Sequence, residues 1–178
     1  EEGYMEPVLK FAPAITEGWY VIRCMYNFLN IDGSGRAELK WQNPAPTFYV
    51  KEEETGTTIK TADGKYLGLE GEVKNGAAVV AMSTPYFWKS YNYGDFNSFW
   101  VKDDSNPYML MNASEGKNSD GTKIIVANNR NFIEPIHGKF QLVPANGPQP
   151  YYVRLKPISP YEEARPLNLQ PSSLYKGG

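Results

Sequence analysis

A weak pattern that recurs three times constrains this chain more than any single residue does. Each copy has an aromatic-led strand, a Gly turn, a short alternating strand, a variable loop and a Phe-x-[Val/Leu] strand. Copy one reads Phe28-Leu29-Asn30-Ile31-Asp32-Gly33, then Gly35-Arg36-Ala37-Glu38-Leu39-Lys40-Trp41, then Phe48-Tyr49-Val50. Copy two reads Tyr66-Leu67-Gly68-Leu69-Glu70-Gly71, then Gly76-Ala77-Ala78-Val79-Val80-Ala81-Met82, then Phe99-Trp100-Val101. Copy three reads Tyr108-Met109-Leu110-Met111-Asn112, then Gly121-Thr122-Lys123-Ile124-Ile125-Val126-Ala127, then Phe140-Gln141-Leu142. The copies start at Phe28, Tyr66 and Tyr108, a period of about 40 residues, and a fixed period marks a repeat architecture.

Inside each copy the apolar period is two rather than 3.6, so the elements are strands. Ala62-Asp63-Gly64-Lys65 carries the Asp-Gly pair of a tight hairpin, because Gly accepts positive φ without steric cost. No stretch between Gly18 and Ala145 offers an amphipathic helix. A propeller blade has a similar length, but propellers typically use at least four blades, and three copies fit here. Three copies of about four short strands close instead into an all-β β-trefoil, a six-stranded barrel capped by three hairpins. Closure removes the exposed edges that drive aggregation. The Phe of each Phe-x-[Val/Leu] is expected to meet its equivalents near the pseudo-threefold axis. Residues 1–17 read as an irregular lead-in, 18–145 as the β-trefoil domain, and 146–178 as a Pro-rich C-terminal extension. Half of the 14 prolines lie from Pro144 onward, which keeps that extension out of a sheet interior. It either packs on the domain or serves as a linker.

Charge and residue types narrow the chemistry. The net charge is −2 and no basic stripe is visible, which argues against a nucleic-acid partner. No apolar run approaches the roughly 18 residues of a membrane span. Cys24 is the one cysteine, so thiols form neither an internal disulfide nor a metal cluster, and its strand context reads as a buried inert thiol. His137 is the one histidine, which removes Ser-His-Asp and multi-His metal schemes and leaves a turn residue. Glu52-Glu53-Glu54 and Asp103-Asp104 follow Phe-x-Val segments and read as solvated hairpin ends rather than a glycosidase pair. Asn118-Ser119-Asp120-Gly121 is a turn that lacks the spaced oxygens of a calcium loop. Asn112-Ala113-Ser114 fits a glycosylation sequon. The chain begins at Glu1 rather than Met, which fits removal of an export signal and equally a cloning choice. No cofactor and no catalytic site is expected.

Thr55-Gly56-Thr57-Thr58-Ile59-Lys60-Thr61-Ala62-Asp63-Gly64-Lys65-Tyr66-Leu67-Gly68-Leu69, followed by Asn75-Gly76-Ala77-Ala78-Val79, resembles the inter-unit turn of the ricin-B-like β-trefoil family. The resemblance covers roughly Gly18 to Leu142. Lys65-Tyr66-Leu67 is also similar to fascin-type trefoils. The ricin-type resemblance implies a non-catalytic lectin-like module of a secreted or cell-surface protein, working outside the cell or in a periplasm. Three departures accompany it. The family's Gln-x-Trp falls on Pro46-Thr47-Phe48, Asn97-Ser98-Phe99 and Gly138-Lys139-Phe140. Its sugar-holding carboxylate falls on Asn30, Gly68 and about Leu110. Its stacking aromatic falls on Trp41, Met82 and Ala127. Copy three also lacks a clear first strand.

Sugar recognition needs a flat aromatic face and planar polar groups for vicinal hydroxyls. Copy one supplies Asn30, Asp32, Trp41, Gln42 and Asn43, although Trp41 packed on the barrel with amides capping turns is the alternative. Pro85 to Phe96, an aromatic insert in copy two, supplies Trp88, Tyr91, Tyr93 and Asp95, or else forms a mini-core over the barrel end. The expected partner is a glycan or polysaccharide. Alternatives are a protein partner met through the aromatic insert and tail by a trefoil that has lost sugar binding, and an accessory domain of a glycoside-active enzyme.

Overall fold

The computed structural model describes residues 15–114, 120–129 and 136–155. The lead-in before Ile15, the Asn118-Ser119 half of the expected turn and the extension after Leu155 lie outside the described residues. Twelve strands among the described residues fall into three groups of four. The first group is β1 (Gly18–Cys24), β2 (Asn27–Ile31), β3 (Ala37–Lys40) and β4 (Phe48–Glu53). The second is β5 (Gly56–Thr61), β6 (Tyr66–Gly68), β7 (Val80–Met82) and β8 (Trp88–Tyr93). The third is β9 (Phe96–Val101), β10 (Met109–Ala113), β11 (Ile124–Asn128) and β12 (Gln141–Pro144).

First and fourth strands of each group build the barrel. Antiparallel pairing runs β1–β4–β5–β8–β9, an Asn97–Phe140 bridge joins β9 to the start of β12, and β12 returns to β1. Second and third strands pair as hairpins β2–β3, β6–β7 and β10–β11. The hairpins close a ring. Arg36 bridges to Val80, Ala78 to Ile125, and Lys123 back to Glu38. Backbone hydrogen bonds follow the same cycle: Ala37 N–H to Val79 O at 2.9 Å, Val79 N–H to Ile124 O at 3.1 Å, and Leu39 N–H to Thr122 O at 2.7 Å. This arrangement is a β-trefoil.

Strand register aligns the three groups residue by residue. Tyr20 pairs with Phe48, Thr57 with Trp88, and Asn97 with Phe140. The closing aromatics are therefore Phe48, Trp88 and Phe140, all at most 1% exposed. This corrects two expectations. Phe99-Trp100-Val101 does not close copy two; it lies on β9, the first strand of copy three, and Phe99 is equivalent to Ile22 and Ile59. Phe48-Tyr49-Val50 and Phe99-Trp100-Val101 both alternate inward apolar residues, so a period of two cannot tell this first strand from a fourth. Correspondingly, the aromatic insert is the ordered hairpin β8–β9. The triplet ending copy two is Tyr86-Phe87-Trp88, which keeps the family's Trp and lacks its Gln. Of the carboxylate runs, Glu52-Glu53 ends β4, with Glu52 corresponding to Asn92, whereas Asp103 follows β9.

Other local readings match what is seen. Gly64 has φ +92° in the Asp63-Gly64 turn, where Thr61 N–H donates to Lys65 O. Cys24 is buried, and burial pushes its thiol pKa up to about 12. His137 sits in a short 3-10 turn, and burial lowers its pKa. Asn112 does not suit a sequon: it is 4% exposed and its amide donates to Leu110 O.

The main core fills the barrel and the underside of the hairpins, and Trp88 is its largest fully buried side chain. The Trp88 indole N–H donates to Leu67 O at 3.0 Å, and its ring packs on Tyr86 at 5.1 Å. Gly68 leaves room for that packing, because a Cβ there would stand 2.5 Å from Tyr86. A smaller cluster outside the barrel joins Val21, Phe28, Ala45 and Val153. Trp88→Ala should cost about 3–5 kcal/mol through the cavity it opens, read as a lower urea midpoint with unchanged slope. Trp88→Phe should cost distinctly less.

Candidate functional site

Trp41 leaves β3 with 51% of its surface exposed. Its ring stacks on Phe28 at 5.4 Å and 22°, and Phe28 is fully buried. The Arg23 guanidinium also lies over the Phe28 ring, 5.4 Å from its centroid. The Trp41 backbone N–H donates to Asp120 Oδ1 at 2.9 Å, a residue of the third group. One face of the indole is thus backed by a buried ring while the side chain stays open to solvent.

A polar network runs beside it. Lys123, from the third group, reaches Asp32 Oδ2 at 2.8 Å and Glu38 Oε1 at 3.0 Å. Glu38 Oε2 accepts from Asn30 Nδ2 at 2.8 Å, and Asn30 Oδ1 accepts from Gln42 Nε2 at 3.1 Å. Asp32 Oδ1 takes Ser34 N–H, Ser34 O–H and Arg36 N–H, all within 2.9 Å. The Lys123 hydrogen bond foremost, then the Arg36 and Ser34 donors, hold the Asp32 carboxyl well below the usual carboxylate range. The two carboxylates raise the Lys123 pKa.

The expected residues separate into distinct roles. Asn30, Asp32 and Gln42 come together in the network next to Trp41. Both ends of the Asn30 amide are used internally, and Asp32 serves as turn cap and ion-pair partner. Asn43 is tied to the extension instead: its Nδ2 donates to Val153 O and its Oδ1 accepts from Val153 N–H, both at 2.9 Å. Trp88 cannot face a ligand, because it fills the barrel core. Tyr91 is half-buried, edge-on to Trp100 at 6.3 Å. Tyr93 ends β8 opposite Phe96, and its side chain lies outside the description. Asp95 is exposed at the β8–β9 turn. No hydrogen bond or ring contact among the described residues joins the Trp41 set to the β8–β9 set.

Register also moves two equivalences. Asn30 aligns with Gly68 and Asn112, and Trp41 with Ser83 and Asn128, so the aromatic exists in the first group alone. Glu38, Asp120 and Lys123 escaped the sequence reading. Glu38 had a signal, a carboxylate at an alternating strand position. The lysine had none, since 91 residues separate it from Asp32.

No protein-family profile and no curated protein sequence matches the chain. Solved structures do. A Macrolepiota procera ricin B-like lectin in complex with lactose superposes with a TM-score of 0.65 at 15% identity, covering 75% of this chain and all of that one. The Rhizoctonia solani agglutinin gives 0.62 at 15% identity with the same coverage. The designed threefold-symmetric protein ThreeFoil gives 0.60 at 14% identity, covering 72% of this chain and 99% of that one. The fold is the β-trefoil that these structures share. In this trefoil the hairpin of the first group carries the exposed aromatic. No helix among the described residues is long and apolar enough to cross a membrane.

The ion network makes stability depend on pH with a definite sign. A lowered Asp32 pKa contributes stability above its unfolded value, about 3.9, that is lost as pH falls toward the folded value. A raised Lys123 pKa contributes stability below about 10.4 that is lost as pH rises through the folded value. In thermal melts across pH, Asp32→Asn should flatten the acid limb, and Lys123→Met should weaken both limbs.

Proposed function

We propose that this chain is a non-catalytic carbohydrate-binding module, with Trp41 as the platform for the apolar face of a sugar ring. The open Trp41 indole, backed by Phe28 and pinned through its backbone to Asp120, carries this reading. A ring already held in place loses little freedom on binding. Gln42 is the adjacent planar group that reaches hydroxyls. Asn30 and Asp32 act by fixing Gln42 and the hairpin rather than as the main sugar contacts. The lactose complex of the M. procera lectin supports a saccharide as the ligand class. A shallow site with one platform implies single-site affinity of about 4–8 kcal/mol, millimolar to micromolar, so tight attachment requires several sites. Such a module serves a secreted or surface-exposed protein.

One observation favours a protein partner instead. Tyr152 and Leu155 are 65% and 41% exposed on the segment that Asn43 clamps beside the Trp41 loop. A glycan array run with the intact chain and Trp41→Ala separates the two. The carbohydrate reading expects binding that falls at least tenfold in the variant, with unchanged thermal stability. No glycan bound at high protein concentration would move the reading to a protein partner.

A further inference from the structure

A cavity of about 330 Å³ opens at the end of the barrel away from the capping hairpins, between β1, the β8–β9 turn and β12. None of its residues belongs to the positions that bear Asn30 and Trp41. Tyr20, Leu142 and Ile15 supply apolar surface, and Asp95, Asn97 and Gln141 bring polar side chains to it. We propose that this cavity is a second saccharide site, taking one neutral pyranose unit.

Asn97 carries the argument. Its backbone closes the barrel, donating to Phe140 O at 2.7 Å and accepting from Phe140 N–H at 2.8 Å, so the residue is held in place. It is 7% exposed, yet its carboxamide makes no hydrogen bond among the described residues. The two residues related to it by the pseudo-threefold axis are satisfied. Tyr20 donates its hydroxyl to Thr16 O, and Thr57 Oγ1 lies 2.9 Å from Ser90 Oγ. Neither atom of this amide is among the fully buried unpaired ones, so its donors and its acceptor are open at the surface. The Asn97 amide lines the cavity, where a ligand reaches it.

The neighbours define the ligand. Gln141 presents a second carboxamide, and Asp95 a carboxylate with no ion pair among the described residues. Asn92, by contrast, is consumed in the turn, with Nδ2 on Gly94 O and Oδ1 on Gly94 N–H. Two carboxamides supply donors and acceptors, and a carboxylate accepts two hydrogen bonds, a set that matches the donor-acceptor hydroxyls of a sugar. No Lys or Arg lines the cavity, and Asp95 repels anions, so uronates and phosphates are excluded. The volume sits at the small end of ligand pockets, about 300–1,000 Å³, which suits one ring. The lining is mainly polar, so the ring is held chiefly by hydrogen bonds. This inference shares only the ligand class with the Trp41 reading.

The test is a titration of the 15N-labelled full chain with neutral monosaccharides, up to about 100 mM, enough to fill a site with a Kd of about 10 mM. The Asn97 and Gln141 side-chain amides and the Gly94 backbone amide report this cavity, and the Trp41 indole N–H reports the other site. The proposal expects saturable shifts at the cavity signals with at least one sugar, kept in Trp41→Ala and weakened at least tenfold in Gln141→Ala and Asp95→Ala. Both of the latter substitutions lie outside the closed core, and Asp95 is in an exposed turn. Shifts confined to the Trp41 indole overturn the cavity and leave the Trp41 site standing; cavity shifts without Trp41 shifts do the reverse. Cavity signals that ignore every sugar but move with methylammonium overturn the proposal and make the pocket an amine site.

Discussion

Two backbone hydrogen bonds between Asn97 and Phe140 join β9 to β12 and turn an open run of paired strands into a barrel. Both candidate binding regions depend on that closure. It sets the polar mouth where Asn97, Asp95 and Gln141 converge. It also fixes the three groups relative to one another, so that the hairpins meet on the far side and complete their own ring. There the third hairpin lies against the first and brings Asp120 and Lys123 beside Trp41. Without closure, β9 and β12 would be edges with unsatisfied donors and acceptors.

Threefold symmetry in the backbone is not matched by symmetry in the side chains. Phe48, Trp88 and Phe140 keep one core position aromatic. At the position of Trp41 stand Ser83 and Asn128, and at the position of Asn97 stand Tyr20 and Thr57. Core positions are constrained by shared packing against the axis, while the outward and end-facing positions are free to diverge. Each distinctive surface is accordingly built around a residue found in one group only.

The repeat made the fold readable because alternation and Gly turns are local signals. Gly64 in its hairpin and Cys24 in its strand behave as their neighbours imply. Strand identity was less readable: Phe99-Trp100-Val101 and Phe48-Tyr49-Val50 share a pattern because both line the same barrel, and only pairing partners distinguish them. The candidate site was half legible as a spatial cluster. Trp41 beside Gln42 is a local signature. The internal use of Asn30, Asp32 and Asn43 is not, because their partners Glu38, Lys123 and Val153 are chosen by tertiary contact. Trp88 was misread for a related reason. An aromatic-rich stretch looks alike whether its rings face solvent or a core, and only the register of β8 decides.

The Trp41 platform takes its backbone support from Asp120, 79 residues further along the chain, and its polar neighbours take theirs from Lys123. During synthesis the indole and its Phe28 backing emerge early, but the residues that pin them emerge with the last hairpin. Contacts of such long sequence separation form late and slowly. The first-translated third of the domain therefore acquires its supported Trp41 face only when the final third has docked, so that face doubles as a mark of a completed barrel.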